Sequence, residues 1–166
     1  MAFDVSGAIA SVGGRDFSRT NLFEVEIDGL EGFKFRAKST TLPEGTVGMV
    51  EVPYFNRKLK IEGDRTFGDW TVTVMEDDRL TVRKQIEAWQ ALCQTMGGES
   101  AGLSPNLYYR DAVVKRFNRN GEVTAVYKLT QIWPMTIAQV NHAWESNDEI
   151  EAFDITFAIN WSDPVQ

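Results

Sequence analysis

The side chains that could do chemistry are few and poorly placed for it. Carboxylates fall together at Asp77-Asp78, Asp148-Glu149 and Glu149/Glu151. Paired carboxylates serve glycoside hydrolysis only when they face each other across a cleft, and adjacency in sequence does not establish that geometry. In a chain with 24 acidic residues such pairs arise by chance. His142 is the only histidine, which excludes a multi-histidine metal site. Ser146 and Asp148 lie near it, but triads assemble from residues distant in sequence. Cys93, the only cysteine, can form no internal disulfide and suits a reducing compartment. It falls on an apolar helical stripe and reads as a small buried hydrophobe, not a nucleophile. Asn160-Trp161-Ser162 matches a glycosylation sequon, but it ends a strand pattern in a chain that opens without a secretory signal. There is no G-x-x-x-x-G-K-[ST], no G-x-G-x-x-G, no H-E-x-x-H and no C-x-x-C. No catalytic residue, metal or cofactor is expected.

The elements that would position any site are mostly strands. Residues 1–20 are Gly- and Ser-rich and read as an N-terminal arm. In LFEVEID, Phe23, Val25 and Ile27 alternate with Glu24, Glu26 and Asp28; in FKFRAKS, Phe33, Phe35 and Ala37 alternate with Lys34, Arg36 and Lys38. Period-two alternation predicts half-buried strands. Turn residues Asp28–Gly32 between them suggest a hairpin with Ile27 opposite Phe33, Val25 opposite Phe35 and Phe23 opposite Ala37. That register sets Glu26 against Lys34 and Glu24 against Arg36, at about 0.2–1 kcal/mol per pair. Residues 39–66 carry two prolines around short apolar stretches and read as a long loop or an irregular hairpin. A connection longer than about 12–15 residues is usually functional. Its apolar residues Met49, Val50, Val52, Tyr54 and Phe55 suit docking better than linking.

Trp70, Val72 and Val74 alternate with Thr71, Thr73 and Met75, a further strand. Asp77-Asp78 offers a helix cap, and Val82, Ile86, Trp89, Cys93 and Met96 form an amphipathic stripe ended by Gly97-Gly98. A helix over 78–96 is predicted. Two alternating runs, 107–117 and 122–132, flank Asn118–Gly121, and Asn-Gly is a strong hairpin signal. Trp133-Pro134 marks a strand end, bulge or edge. Phe153, Ile155, Phe157, Ile159 and Trp161 alternate with polar residues in the clearest strand of all. Trp70, Trp89 and Trp161 fall on apolar faces and read as core, which leaves Trp133 and Trp144 for exposed or interface roles.

Composition bounds the class. The 166 residues are 43% hydrophobic and 25% charged, an ordinary globular balance for a single domain spanning 1–166. No apolar run reaches the roughly 20 residues of a membrane helix. Seventeen basic residues against 24 acidic give a net charge of −7. That disfavours a nucleic-acid clamp, which needs clustered Lys and Arg.

The order of features is more specific than any one of them: strands at 22–35, a long loop with Pro43 and Pro53, the start Gly68-Asp69-Trp70, one helix, an Asn-Gly hairpin, Ile132-Trp133-Pro134, and the terminal strand IEAFDITFAINW. From about Asp16 to Trp161 the chain resembles the tail tube proteins of contractile-tailed bacteriophages. It is similar, more distantly, to the haemolysin-coregulated tube proteins of type VI secretion. The resemblance implies a mainly β fold of two packed antiparallel sheets, sandwich- or barrel-like, with one flanking helix and a long extended loop. It implies six-membered rings stacked into the inner tube of a virion tail, made in the bacterial host cytoplasm. The implied partners are further copies of the chain, the tail sheath protein, the baseplate or tube initiator, the tail terminator, a tape measure protein in the lumen, and double-stranded DNA in passage without specific binding. No membrane span is implied.

The resemblance also assigns surfaces. Residues 41–65 match the family's inter-ring loop, which brings Pro43, Val47, Met49, Val50, Val52, Tyr54, Phe55 and Arg57 to that interface. An arm that packs on neighbours brings Phe3 and Phe17, with Trp133 and Trp144, to subunit contacts. A lumen that repels phosphate would be lined by Asp154, Thr156 and Asn160, or by Glu24, Glu26 and Asp28; Lys34, Arg36 and Lys38 share the face of the second group. Two other classes stay open: a non-catalytic β-sandwich module that binds sugar or peptide, and an enzyme on an unfamiliar β-scaffold. Within the tube class, a ring at the tube end or a subunit of a related contractile injection system are alternatives.

Overall fold

The computed structural model describes residues 7, 18–94, 104–144 and 149–165. Alternation builds its centre. In β5 (Trp70–Met75), the fifth strand along the chain, Trp70, Val72 and Val74 are fully buried while Thr71, Thr73 and Met75 face outward. Phe153, Ile155 and Phe157 do the same in β8 (Ala152–Ala158). The two strands pair antiparallel, with Val72 opposite Ile155 and Thr73 opposite Asp154.

Around them lie β1 (Phe23–Ile27), β2 (Ala37–Thr40), β6 (Arg110–Phe117), β7 (Val123–Ile137) and β9 (Trp161–Pro164). The strand order is β1-β6-β7-β8-β5-β2, with β9 also on β7, and every pairing is antiparallel. The long strand β7 joins two packed layers. Its first part pairs with β6 and β9, and Trp133–Ile137 pairs with β8. The changeover is a bulge: Gln131 has φ 57°, and its N–H leaves the ladder to donate to Asp111 Oδ1 at 3.1 Å. A second register shift follows Pro134, so of the three readings of Trp133-Pro134 the bulge holds. β1 and β2 end the strand order unpaired with each other, so the barrel does not close. The fold is mainly β, two antiparallel layers and one helix, as expected.

The helix α1 (Thr81–Cys93) starts three residues later than its pattern suggested. Val82, Ile86 and Trp89 bury its apolar stripe. Trp89 stands 5.7 Å from the Phe157 ring, which stands 5.2 Å from Trp70. Each such side chain contributes about 1.5–3 kcal/mol when fully buried. The indole N–H groups are not wasted: Trp89 donates to the Tyr108 carbonyl at 2.6 Å and Trp70 to Thr40 Oγ1 at 2.9 Å.

The expected hairpin of residues 23–37 does not form. Gly29 and Gly32 adopt φ of 76° and 79° and turn the chain twice, and Phe33–Phe35 coil into a 3-10 turn. β1 pairs instead with β6, Val25 opposite Val114, while β2 pairs with β5 at the other end of the strand order. Lys115 supplies the countercharge, donating to Glu26 at 2.7 Å and Glu24 at 3.3 Å. Arg36 turns to Asp77 at 2.8 Å, and Lys34 stays near Glu26 at 3.8 Å. Alternation gave β1 and its buried face but not its partner, and over Phe33–Phe35 it gave neither strand nor face, since Phe33 is buried and Phe35 is exposed.

Trp161 corrects a second expectation. The terminal strand breaks after Ala158, and Trp161 opens β9 with its side chain 52% exposed. The break resets the alternation, so Trp161 leaves the face held by Phe153 and Phe157.

Candidate assembly surfaces

Residues 39–66 contain the irregular hairpin. β3 (Gly45–Tyr54) pairs with β4 (Arg57–Phe67) and with no other strand. Every β3 residue is exposed, as are nearly all of β4. Cross-strand register divides the side chains between two faces. Val50 opposite Ile61 and Val52 opposite Leu59 share one face, continued by Tyr54 opposite Arg57. Met49 opposite Glu62, Glu51 opposite Lys60 and Pro53 opposite Lys58 share the other, where Lys58 pairs with Glu51 at 2.6 Å. The blade is therefore amphipathic, with an apolar face that is left exposed among the described residues. A lone two-stranded hairpin is marginally stable in water.

Two backbone features shape this blade. The register shifts between Val47 and Met49, where a Cβ on Gly63 would meet the Gly48 carbonyl carbon at 3.1 Å. Only glycines allow strands to approach so closely at that bulge. At the tip, Phe55 and Asn56 hold φ of 39° and 60°. A two-residue turn of this handedness prefers Asn or Gly at both places. Phenylalanine there is strained, yet its ring is 85% exposed and packs edge-on to Tyr54 at 4.7 Å. Of the other docking candidates, Val47 is exposed near the base and Pro43 is half-buried before β3.

A second uncovered surface has opposite chemistry. On the outward face of β2, β5 and β8, Ser39 Oγ donates to Thr73 Oγ1 at 2.8 Å, and Thr73 donates to Asp154 Oδ1 at 2.6 Å. Thr71 and Thr156 meet at 3.4 Å, and Thr136 of β7 lies opposite Thr156. Asp154 and Thr156 thus share one hydroxyl-rich face. Asn160 lies beyond the end of β8, where its amide donates to Gln131 Oε1 at 2.9 Å. Glu24 and Glu26 stand elsewhere, on the outward side of β1. Their lysine partner holds the Glu26 carboxyl below its usual range, and Glu26 in turn raises Lys115.

The subunit-contact candidates scatter. Trp133 is half-buried beside α1, and Trp144 is wholly exposed. Phe3 and Phe17 lie outside the described residues, as does most of the arm.

The residues first considered for chemistry have structural tasks. Asp77 Oδ1 accepts the Thr81 N–H at 2.9 Å, and Oδ2 receives the Thr81 hydroxyl and Arg36. The Thr81 N–H and then Arg36 hold its carboxyl far below the ordinary aspartate range. Burial pushes the Cys93 thiol up, away from a reactive thiolate. His142 is exposed. Gly98-Glu99-Ser100-Ala101-Gly102 spells G-x-S-x-G, but a nucleophile elbow needs a strand leading into it, and here α1 precedes; these five residues lie outside those described. Sequence reasoning missed Glu76. Its side chain is fully buried, its carboxylate accepts the Val82 N–H at 3.1 Å and the Arg83 N–H at 2.8 Å, and Arg36 lies 3.5 Å away. The helix start thus rests on two adjacent acids and one arginine. The acidic pair just before an apolar helical stripe was the available signal.

Similarity to known proteins gives these surfaces a context. Residues 8–161 match the family described as phage tail tube protein. The chain is 39% identical to the tail tube protein gp19 of Enterobacteria phage T4 over 148 residues, covering 88% of this chain and 91% of that one. It is 27% identical to the tail tube protein of Serratia phage KSP90 over 70% of this chain and 66% of that one. Among solved structures, the sheath/tube terminator of the PVC extracellular contractile injection system aligns with a TM-score of 0.71, over 92% of this chain and 99% of that one. The tube-terminating cap of the anti-feeding prophage aligns at 0.70, over 90% and 91%. At 14% identity these two share the fold. The chain belongs to the phage tail tube protein family.

Proposed function

We propose that this chain is a structural subunit that closes into six-membered rings, and that the rings stack into the inner tail tube through which phage DNA is delivered. The hairpin Gly45–Phe67 carries this reading. Its apolar face is exposed among the described residues, and such a face is stable in water when another chain covers it. A subunit that offers one surface to a different surface of the next copy builds rings and stacks. The strand order also ends in open edges on β1 and β2, which invite pairing between copies. Phage relatives at 39% and 40% identity favour the phage tube over an injection system.

The hydroxyl face suits the channel. Serine, threonine and one carboxylate offer phosphates no countercharge, so DNA passes without sticking. Asp154 and Thr156 line this channel. Glu24 and Glu26, held by Lys115, do not act as free charges. No catalytic role is assigned: Asp77 has structural partners, Asp78, His142 and Glu149 lie in solvent, and Ser146 and Asp148 fall outside the described residues. The sheath outside, the initiator and terminator at the ends, and the tape measure in the lumen are the partners of such a tube. A terminator and a tube cap with this fold support the end-capping surfaces.

Negative-stain electron microscopy across a concentration series tests the reading. Rings or hollow tubes with six-fold end views are expected, growing from added baseplate where the protein alone does not nucleate. Isolated single subunits at every concentration, with and without baseplate, would overturn it.

A further inference from the structure

The hairpin needs a receptor. We propose that its tip seats in the groove between the C-terminal half of α1 and β7 of a second copy, with Tyr54 and Phe55 in the groove and Arg57 at the end of α1. This rests on the reading that the hairpin docks on another copy. The tip is built for insertion: a strained Phe55 displays its ring in water against Tyr54. At about 3.3 Å per residue, the ten residues of β3 hold that ring roughly 30 Å beyond the hairpin base. The groove has matching chemistry. Gln90, Cys93 and Gln94 form one wall, and Tyr108, Trp133 and Met135 the rest. Gln90 bonds the Met135 carbonyl at 3.1 Å and fixes the distance between helix and strand.

Charge gives the orientation. α1 has no basic residue in its last turn, so the negative end of the helix is unmatched within it. Glu87 also lines the groove, but its carboxylate already pairs with Arg83 at 2.9 Å, so the helix end supplies the attraction. Arg57 has no ion-pair partner among the described residues and lies one residue past the aromatic tip. A second concavity, at Phe23, Leu42 and Arg116, presents a cation and so repels such a tip.

The native Cys93 makes the test direct. Asn56→Cys puts a second thiol at the tip, and Lys58→Cys does so without touching the turn. Assembled tubes of each variant, treated with a short bismaleimide, should give a ladder of covalently joined subunits on a denaturing gel. Adding Cys93→Ala should abolish the ladder. Tubes that form normally and give no ladder with either variant overturn the groove and leave hairpin docking standing. If replacing Met49–Ile61 by a Gly/Ser turn leaves tube yield unchanged, the parent reading fails instead. Gln94→Arg favours the helix itself but opposes Arg57, and should cut tube yield about tenfold, with recovery on adding Arg57→Glu. Wild-type yield from Gln94→Arg alone overturns the placement of Arg57.

Discussion

The blade β3–β4 and the outward face of β2, β5 and β8 are both antiparallel, both exposed, and opposite in character. On the blade, Val50, Val52, Leu59 and Ile61 lie side by side and exposed. On the sheet face, Ser39, Thr73 and Asp154 satisfy one another by hydrogen bonds. Water suits the second surface and not the first. Exposure alone therefore says little about docking; the chemistry of the exposed face decides. The blade carries strain at Phe55 and displays that ring to water against Tyr54, whereas the hydroxyl face is the back of β5 and β8, whose other face is buried.

Substitutions can separate the two regions. The largest effect on assembly is expected from Val50→Asp with Ile61→Asp. Sedimentation should show loss of tubes, with the thermal midpoint of the monomer unchanged, because neither residue touches the core. Trp89→Ala should do the reverse, lowering unfolding free energy in denaturant titrations by about 3–5 kcal/mol. Asp154→Lys is expected to preserve tubes and lower infectivity, since in the proposed six-membered ring it would set a cation from every copy in the channel, where it would hold phosphate. Undiminished infectivity would remove Asp154 from the channel. Phe55→Asn should split the signs. It relieves the turn by about 1 kcal/mol or less, so the hairpin gains order, while tube yield falls.

The smallest effect concerns the helix start. Asp77 has a depressed carboxyl pKa in the folded chain, so its ionised form stabilises the fold above the unfolded value near 3.9. That contribution falls away as pH drops through the folded value. Asp77→Asn should lower the thermal midpoint near neutral pH, and the gap from wild type should close under strong acid. A gap that stays constant with pH would mean the carboxylate charge is not what holds Thr81 and Arg36.

Alternation and turn chemistry made much of this legible. β5 and β8 show their buried faces in the letters, and Asn118–Gly121 closes its hairpin with Asn118 Oδ1 accepting two N–H groups at 2.9 Å. The apolar run Met49–Phe55 stood out because no periodicity could bury it. Partner choice was not legible. Lys115 lies far along the chain from Glu24 and competes for them only once β6 is beside β1. The α1–β7 groove joins residues 87–94, 108 and 133–135, which nothing local connects. Glu76 read as one more acid until the helix began above it.

Hydrogen–deuterium exchange in free subunits and in tubes tests the central claim most directly. Amides of Met49–Ile61 should exchange fast in the free subunit, as a marginal hairpin does, and become strongly protected in tubes. Amides of β5 and β8 should be protected in both. A blade equally protected before assembly, or equally unprotected after it, would contradict the claim that another copy covers its apolar face.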